Sequence, residues 1–278
     1  QDNGFIASTQ NVGAIGIRIV APTSFFLKNR FIDATALTAL KALQRKSPLH
    51  ITATLNEILE LQKAFPEIPI YGVSDSAFHA DKPDYAWNYG ISLELADAFE
   101  IKRFGYHGIS VESVVQKIAA SAELEQKVIV CHLGSGSSVT AILNGVSIET
   151  TMGYSPLEGV VMATRSGSID FAAATELKIQ QGITDTELET LLFKQSGLLG
   201  ISGISDDIRE LLTHEAKGNY RAELALKMYV YGIQKAIGQM SAVLQGVDCL
   251  VFTGTVGARS AIIRQRIVDG LEYLNLSI

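Results

Sequence analysis

Apolar residues recur along this chain at two different spacings. Near the start, 14–20 is a short apolar run of strand type, and Ala36, Leu37, Leu40, Ala42 and Leu43 then fall near a 3.6-residue period, which predicts a helix over 33–46. Leu55, Ile58, Leu59 and Leu61 predict a second helix over 54–64, and 68–73 reads as another short strand. This opening supplies too few strands to close a sheet of its own, so it reads as part of a domain.

From Lys127 the pattern changes. VIVCHLG is a continuous apolar strand, a Gly/Ser loop follows, and SVTAILNGVSIETT alternates about Asn144-Gly145, the strongest short-range signal for a tight hairpin. Helices then dominate. Thr184 with Glu187 three residues on has capping-box spacing and opens a helix over 184–194, while Ser205 is the expected N-cap of a helix over 205–214. The stretch 221–244 is apolar around most of its circumference, as in a helix buried between layers. A strand over 248–253, a loop at Gly254–Gly257 and a helix over 258–271 complete the reading. The class is α/β in two lobes that part within 74–89: a partial N-terminal lobe over 1–76 and a second lobe over 77–278.

Composition narrows the partners. With 278 residues, 47% hydrophobic and 19% charged, the chain has the make-up of a folded globular protein. Its net charge of −6, from 23 Lys+Arg against 29 Asp+Glu, repels a phosphate polymer and argues against nucleic acid. Polar residues cut every apolar stretch well short of the roughly 18 needed to cross a bilayer, so no membrane partner is expected. The opening QDNGFIAST lacks the basic and apolar regions of a signal peptide, and Cys131 and Cys249 lie far apart beside apolar runs, which predicts a reduced, cytoplasmic protein. The first residue is Gln, and a segment is expected before it.

Several polar loops could carry chemistry. HLGSGSS at His132–Ser138 sets backbone N–H groups and hydroxyls together after a strand, as a phosphate nest does; a plain strand connection is the alternative. A hairpin follows it rather than a helix, which excludes the Walker A and dinucleotide fingerprints. FTGTVGARS at Phe252–Ser260 is a second Gly-rich turn that could meet an anion or a nucleotide edge. Arg165, in MATRSGSID, offers a planar fork for a carboxylate or phosphate. His107, in RFGYHGIS between an expected strand and a helix start, is a potential hydrogen-bond donor to a reacting group, and Asp75, in GVSDSAFH, is either a metal-bridging carboxylate or an N-cap. Zinc signatures and the serine-hydrolase elbow are absent.

In their order and spacing, SDSAFH, RFGYHGIS, ETTMGYSPLEGVVMATRSGSID, KQSGLLGISGISDDIREL and CLVFTGTVGARSAIIR resemble acetate kinase and its propionate and butyrate kinase relatives, from about Gly16 to the last residue. The resemblance implies a two-lobed ribonuclease H-like fold of the acetate and sugar kinase, heat-shock and actin superfamily. It also implies transfer of the ATP γ-phosphoryl group to a short-chain carboxylate such as acetate or propionate, giving acyl phosphate and ADP, with Mg2+ and as a homodimer. By the same resemblance Arg18 and Arg165 grip the carboxylate and the phosphoryl group, His107 bonds that group in flight, and Asp75 stands near the metal. His132, Gly134, Ser135 and Gly136 match the phosphate loop, and Asp207, Ile208 and Arg209 match the adenosine side together with Thr255, Val256 and Gly257. Val20, Leu49, Tyr106 and Pro156 match the apolar acyl pocket. The second lobe is then the nucleotide-binding one.

Departures from the family pattern accompany this. The family's first strand and phosphate loop would precede Gln1, and its last segment, with a magnesium-associated glutamate, would follow Ile278. Inside the chain, Arg18 lacks its usual flanking histidines, PLHITATLN stands for P-L-H-N-P-P-N, Ser135 replaces Asn, Val111 replaces a second His, and Thr255-Val256-Gly257-Ala258-Arg259 replaces G-I-G-E-N. A degenerate homologue that binds nucleotide or a partner without efficient turnover is therefore the alternative expectation.

Overall fold

The computed structural model describes residues 12–44, 48–121 and 126–274. Strand β1 (Ile15–Ile19) leads to a two-residue β2 (Arg30–Phe31), two helices α1 (Ala34–Leu43) and α2 (Pro48–Ala64), and β3 (Ile70–Ser74). β3 is central, parallel to β1 on one side and antiparallel to β2 on the other, so a three-stranded sheet does form; β2 is too short to be legible as a period. Ile17 and Ile19 of β1 pack with Leu40, Leu43, Leu55 and Ile58 of the two helices, the apolar stripe that the 3.6 spacing required. Asp33 caps α1, accepting from the Ala36 N–H at 2.8 Å.

Short helices α3 (Asp84–Trp87) and α4 (Leu93–Phe99) and the longer α5 (Gly108–Ser121) connect to the second sheet. There, β4 (Lys127–Leu133), β5 (Ser137–Leu143) and β6 (Val146–Thr150) form an antiparallel meander, and the later β7 (Cys249–Thr253) joins the free side of β4 in parallel, giving the order β6-β5-β4-β7. The Asn144-Gly145 turn has φ of 50° and 81°, the left-handed pair that a two-residue hairpin demands. β4 is apolar from Val128 to Cys131 because both its faces are covered there. Ile129, Cys131 and Leu133 enter the large core, whereas Val128 and Val130 meet Val111 and Val115 of α5.

Between β6 and β7 run α6 (Phe171–Gln181), α7 (Asp185–Lys194), α8 (Gly197–Ser202), α9 (Ile208–Ala216) and α10 (Tyr220–Leu244); α11 (Gly254–Arg259) and α12 (Ala261–Val268) follow β7. The Thr184–Glu187 capping box is present in full. Four expectations are corrected. Asp207, not Ser205, caps α9, its carboxylate accepting from the Arg209 N–H at 2.8 Å where a charged acceptor suits the helix dipole. Helix α10 lays one face on the sheet and leaves Tyr231 and Val243 exposed, so it is not buried all round. Gly254–Gly257 is no loop: α11 opens at Gly254 itself, whose φ of 78° and close approach to the Leu133 carbonyl turn the chain straight from β7 into helix. The segment before His107 is not a strand, carrying an isolated bridge between Asn88 and Lys102 and otherwise irregular backbone.

Cys131 is buried and Cys249 half-buried on the adjacent strand, with no disulfide joining them. Among the described residues no helix is long and apolar enough to cross a membrane.

Candidate functional site

Parallel strands bring their carboxyl ends together, and β1 and β3 do so at Arg18 and Asp75. The Asp75 N–H extends the β1–β3 pairing by donating to the Ile19 carbonyl at 2.9 Å, which turns its carboxylate off the end of the sheet. That carboxylate is 1% exposed, and its Oδ2 accepts both the Arg18 guanidinium and the His107 backbone N–H at 2.7 Å. Gly108 allows the contact: its N–H donates to the Asp75 carbonyl, and a Cβ there would stand 2.5 Å from that oxygen. His107 itself holds a φ of 62°, a left-handed conformation that costs a non-glycine residue about 1–3 kcal/mol and persists only where the surroundings impose it.

The second sheet supplies the opposite wall. The β4–β5 turn places Gly134, Ser135 and Gly136 between paired Leu133 and Ser137, closed by the Gly134 N–H on the Gly136 carbonyl at 2.9 Å. His132, at the end of β4, receives the His107 ring against its own at 4.1 Å between centroids, and Nδ1 of His107 meets the Ser138 hydroxyl at 2.9 Å. Burial, with His132, Arg18 and Arg165 adding to it, holds the His107 imidazole well below its ordinary pKa. Burial lowers His132 as well. Arg165 donates to the Pro156 carbonyl at 3.1 Å; burial and the nearby Arg18 lower its proton affinity too. A Cβ on Gly136 would lie 3.0 Å from His107 Nε2 and 3.3 Å from Arg165 Nη1, so imidazole and guanidinium converge beside that glycine. The result is a patch of donors facing one point, with a single carboxylate already partnered.

These groups line one cleft of about 660 Å³: Arg18, Val20, Asp75, Tyr106, His107, His132, Ser135, Gly136, Pro156 and Arg165 all border it, as does Thr253. Gly134 lies behind, its Cβ position 3.9 Å from the Thr255 backbone nitrogen, which sets the α11 start beside the loop. Thr255, Val256 and Gly257 do not border the cleft themselves. Nor do Asp207, Ile208 and Arg209: Ile208 enters the large core, and Asp207 forms a surface ion pair with Arg209 that pushes its carboxyl down to about 2. The Leu49 side chain lies outside the described residues. Tyr106 is 1% exposed, and its hydroxyl donates to the Tyr154 carbonyl at 2.7 Å, so the pocket wall presents ring rather than hydroxyl. A larger groove of about 900 Å³, bordered by Tyr85, Tyr231 and Lys235, takes residues such as Glu149 and Glu158 from the 149–170 segment but none of the candidate catalytic, nucleotide or acyl-pocket residues.

Sequence reasoning missed the α5 contribution. Ser110, Ser113 and Lys117 border the cleft, and their three- and four-residue spacing is a polar stripe on a helix whose other face is Val111 and Val115. Ser110 also reaches His132 Nδ1 at 2.8 Å. Val111, where the resemblance places a second His, points into apolar core and away from the cleft.

Magnesium delivered with a nucleotide takes one or two carboxylates, the remaining positions coming from phosphate and water. Asp75 fits that demand: both its side-chain hydrogen bonds fall on Oδ2, and among the described residues no three His, Cys, Asp or Glu gather into a cage of their own.

Comparison with known proteins establishes the fold and the family. In solved structures, the chain superposes on a propionate kinase from Francisella tularensis with a TM-score of 0.90 at 39% identity, over 95% of this chain and 69% of that one. An acetate kinase from Porphyromonas gingivalis gives 0.87 at 32% identity, over 99% and 69%. The fold is thus the two-lobed ribonuclease H-like α/β fold of the acetate and sugar kinase, heat-shock and actin superfamily. In sequence, the chain is 44% identical to the acetate kinase of Methanosarcina acetivorans over 99% of its own length and 68% of that protein's, and 40% identical to that of Heliobacterium modesticaldum over 100% and 71%. The model of the Acetokinase family matches residues 1–278. With its polar cleft built from the segments that first suggested the kinship, the chain belongs to the acetokinase family.

Proposed function

We propose that this protein is an ATP-dependent carboxylate kinase, moving the γ-phosphoryl group of ATP to a short-chain carboxylate such as acetate or propionate and releasing acyl phosphate and ADP. The observation that carries the reading is the convergence of Arg165, His107 and Gly136 on one point across from Arg18 and Asp75. Phosphoryl transfer through a loose transition state asks for positioning and for charge stabilisation over the equatorial oxygens. Two guanidiniums and an imidazole donor supply both. A carboxylate nucleophile arrives ionised, so the transfer needs no general base.

In this reading Arg18 and Arg165 bind the carboxylate and the phosphoryl group, and His107 donates to that group from Nε2 while Ser138 holds Nδ1. Val20, Tyr106 and Pro156 bound the acyl chain, and the resemblance adds Leu49 to them. His132 and the Gly134–Gly136 turn receive nucleotide phosphates; the starts of α11, at Thr255, Val256 and Gly257, and of α9, at Asp207, Ile208 and Arg209, face the adenosine. Asp75 would hold magnesium with the phosphates, and the ion would neutralise charge developing on them. The proposal divides the chain near Ser76 into a partial N-terminal lobe and a nucleotide-binding lobe, which fits the two separate sheets, and takes the protein to be a cytoplasmic homodimer.

Trapping of acyl phosphate with hydroxylamine, run on the whole gene product with acetate, propionate and butyrate in parallel, tests the reading. Hydroxamate from at least one acid is the expected result. A protein that binds ADP with magnesium and yields no hydroxamate from any of them would be the degenerate homologue instead.

A further inference from the structure

The segment Arg103–His107 carries the left-handed His107 and yet has no helix or strand ladder to hold it. Its carbonyls are bound instead by side chains of the turn that follows Asp75. Ser76 Oγ donates to the Gly105 carbonyl at 2.6 Å, His79 Nε2 lies 3.0 Å from the Tyr106 carbonyl, and Lys82 Nζ donates to the Arg103 carbonyl at 2.6 Å. The donors sit three residues apart, the spacing at which side chains eclipse on the 3₁₀ turn Ala77–His79. All three are buried. A carbonyl only accepts, so His79 is assigned its proton on Nε2, and its Nδ1 accepts from the buried Ser147 hydroxyl at 2.7 Å. Gly105, at φ 73°, brings the backbone against the His79 ring: a Cβ there would lie 2.9 Å from it.

We infer that Ser76, His79 and Lys82 are positioning residues that form a bracket between Asp75 and His107, with His79 as its centre. Both ends of the bracket belong to the cleft, because the turn starts at Asp75 and the bound segment ends at His107. The bond it protects is the His107 N–H on Asp75 Oδ2, and with it the direction of the His107 ring. Burial, with Lys82 beside it, keeps His79 neutral, as a ring that must accept at Nδ1 requires. Unlike Ser110, none of the three borders the cleft. The inference rests on the carboxylate kinase reading for its effect on rate and on the three hydrogen bonds alone for its effect on His107.

His79→Gln retains a donor near the Nε2 position, whereas His79→Leu removes it with little change in volume. Two readouts on the whole protein separate the cases: steady-state rates, and hydrogen exchange of the His107 amide against amides of β4 and β5. His79→Leu should lower kcat about 10- to 100-fold with nucleotide KM little changed, the scale expected when a reacting group is misplaced by about 1 Å. It should also speed exchange at His107 while leaving β4 and β5 protected, and His79→Gln should recover most of both. A folded His79→Leu protein with parental kcat and parental His107 protection would overturn the bracket, as would a His79→Gln protein no better than His79→Leu. Where His79→Leu does not fold, Lys82→Met is judged by the same two readouts. If the unmodified protein makes no acyl phosphate, the kinase reading falls and exchange at His107 alone decides the bracket.

Discussion

The imidazoles of His107 and His132 stack 4.1 Å apart, 32° from parallel, each with a serine hydroxyl on Nδ1. Two cationic rings at that distance would repel, and burial already lowers the proton affinity of both. The pair therefore enters the reaction neutral, giving hydrogen bonds rather than charge. Turnover should stay level from pH 8 to pH 6, across the region where an ordinary histidine near 6.5 titrates. A pH–rate profile that bends near 6.5 and loses the bend in His107→Gln would contradict this.

Stability in acid should follow His79. Its pKa is pushed from an ordinary 6.5 to about 4, so between those values the unfolded chain binds a proton that the native state does not. The contribution is fully present above pH 6.5 and is lost as pH falls toward 4, at a cost of roughly 3 kcal/mol for a shift of this size. Urea unfolding at pH 7.5 and pH 4.5 should show the loss, and a His79→Gln protein should show less of it. Equal midpoints for the parent at the two pH values would argue against a buried neutral ring.

Two glycines should separate chemistry from folding. Gly136→Ala places a methyl 3.0 Å from His107 Nε2 and 3.3 Å from Arg165 Nη1, contacts that side chains can relieve by shifting a few tenths of an ångström. Turnover should fall about 10- to 100-fold while stability changes by less than about 1 kcal/mol. Gly108→Ala instead drives a methyl to 2.5 Å from the Asp75 carbonyl oxygen, which cannot move without the β3 end, and should cost about 1–3 kcal/mol. Thermal unfolding and rates on both proteins check the contrast, and an active Gly136→Ala protein would remove the convergence from the account.

Local rules made some elements legible. Asn144-Gly145 named its hairpin and Thr184 with Glu187 its capping box because each is decided by backbone within four residues. The alternation in β4 was hidden because both faces are covered, yet the unbroken apolar run still marked a strand. What failed was set by distant contacts. Gly254 looked like loop, but its approach to Leu133 turns it into the first residue of a helix, and α10 was overread because an apolar composition does not say how many of its faces find partners. Within the site, Asp75, His107, His132 and Arg165 lie in polar stretches that the residues themselves singled out, Arg18 came from the resemblance, and all five meet in one cleft, whereas Asp207 and Arg209 pair at the surface outside it. The bracket of Ser76, His79 and Lys82 has a spacing visible in the sequence, but its partners are backbone carbonyls that no residue identity reveals.

Arg165 is the residue on which the account depends most. Its guanidinium is half-buried beside Gly136 and held by the Pro156 carbonyl, so it is preorganised where charge would spread on a transferring phosphoryl group. The direct measurement is the rate of γ-phosphoryl transfer from labelled ATP to acetate by the whole protein and its Arg165→Ala and Arg165→Lys variants, with nucleotide affinity measured alongside. Arg165→Ala should lower the rate about 100- to 1,000-fold, or about 2.7–4 kcal/mol, with affinity nearly unchanged. Lysine should not restore it, since a point charge lacks the two-pronged fork. An Arg165→Ala protein that transfers label at the parental rate would contradict the assignment of this cleft as the catalytic centre.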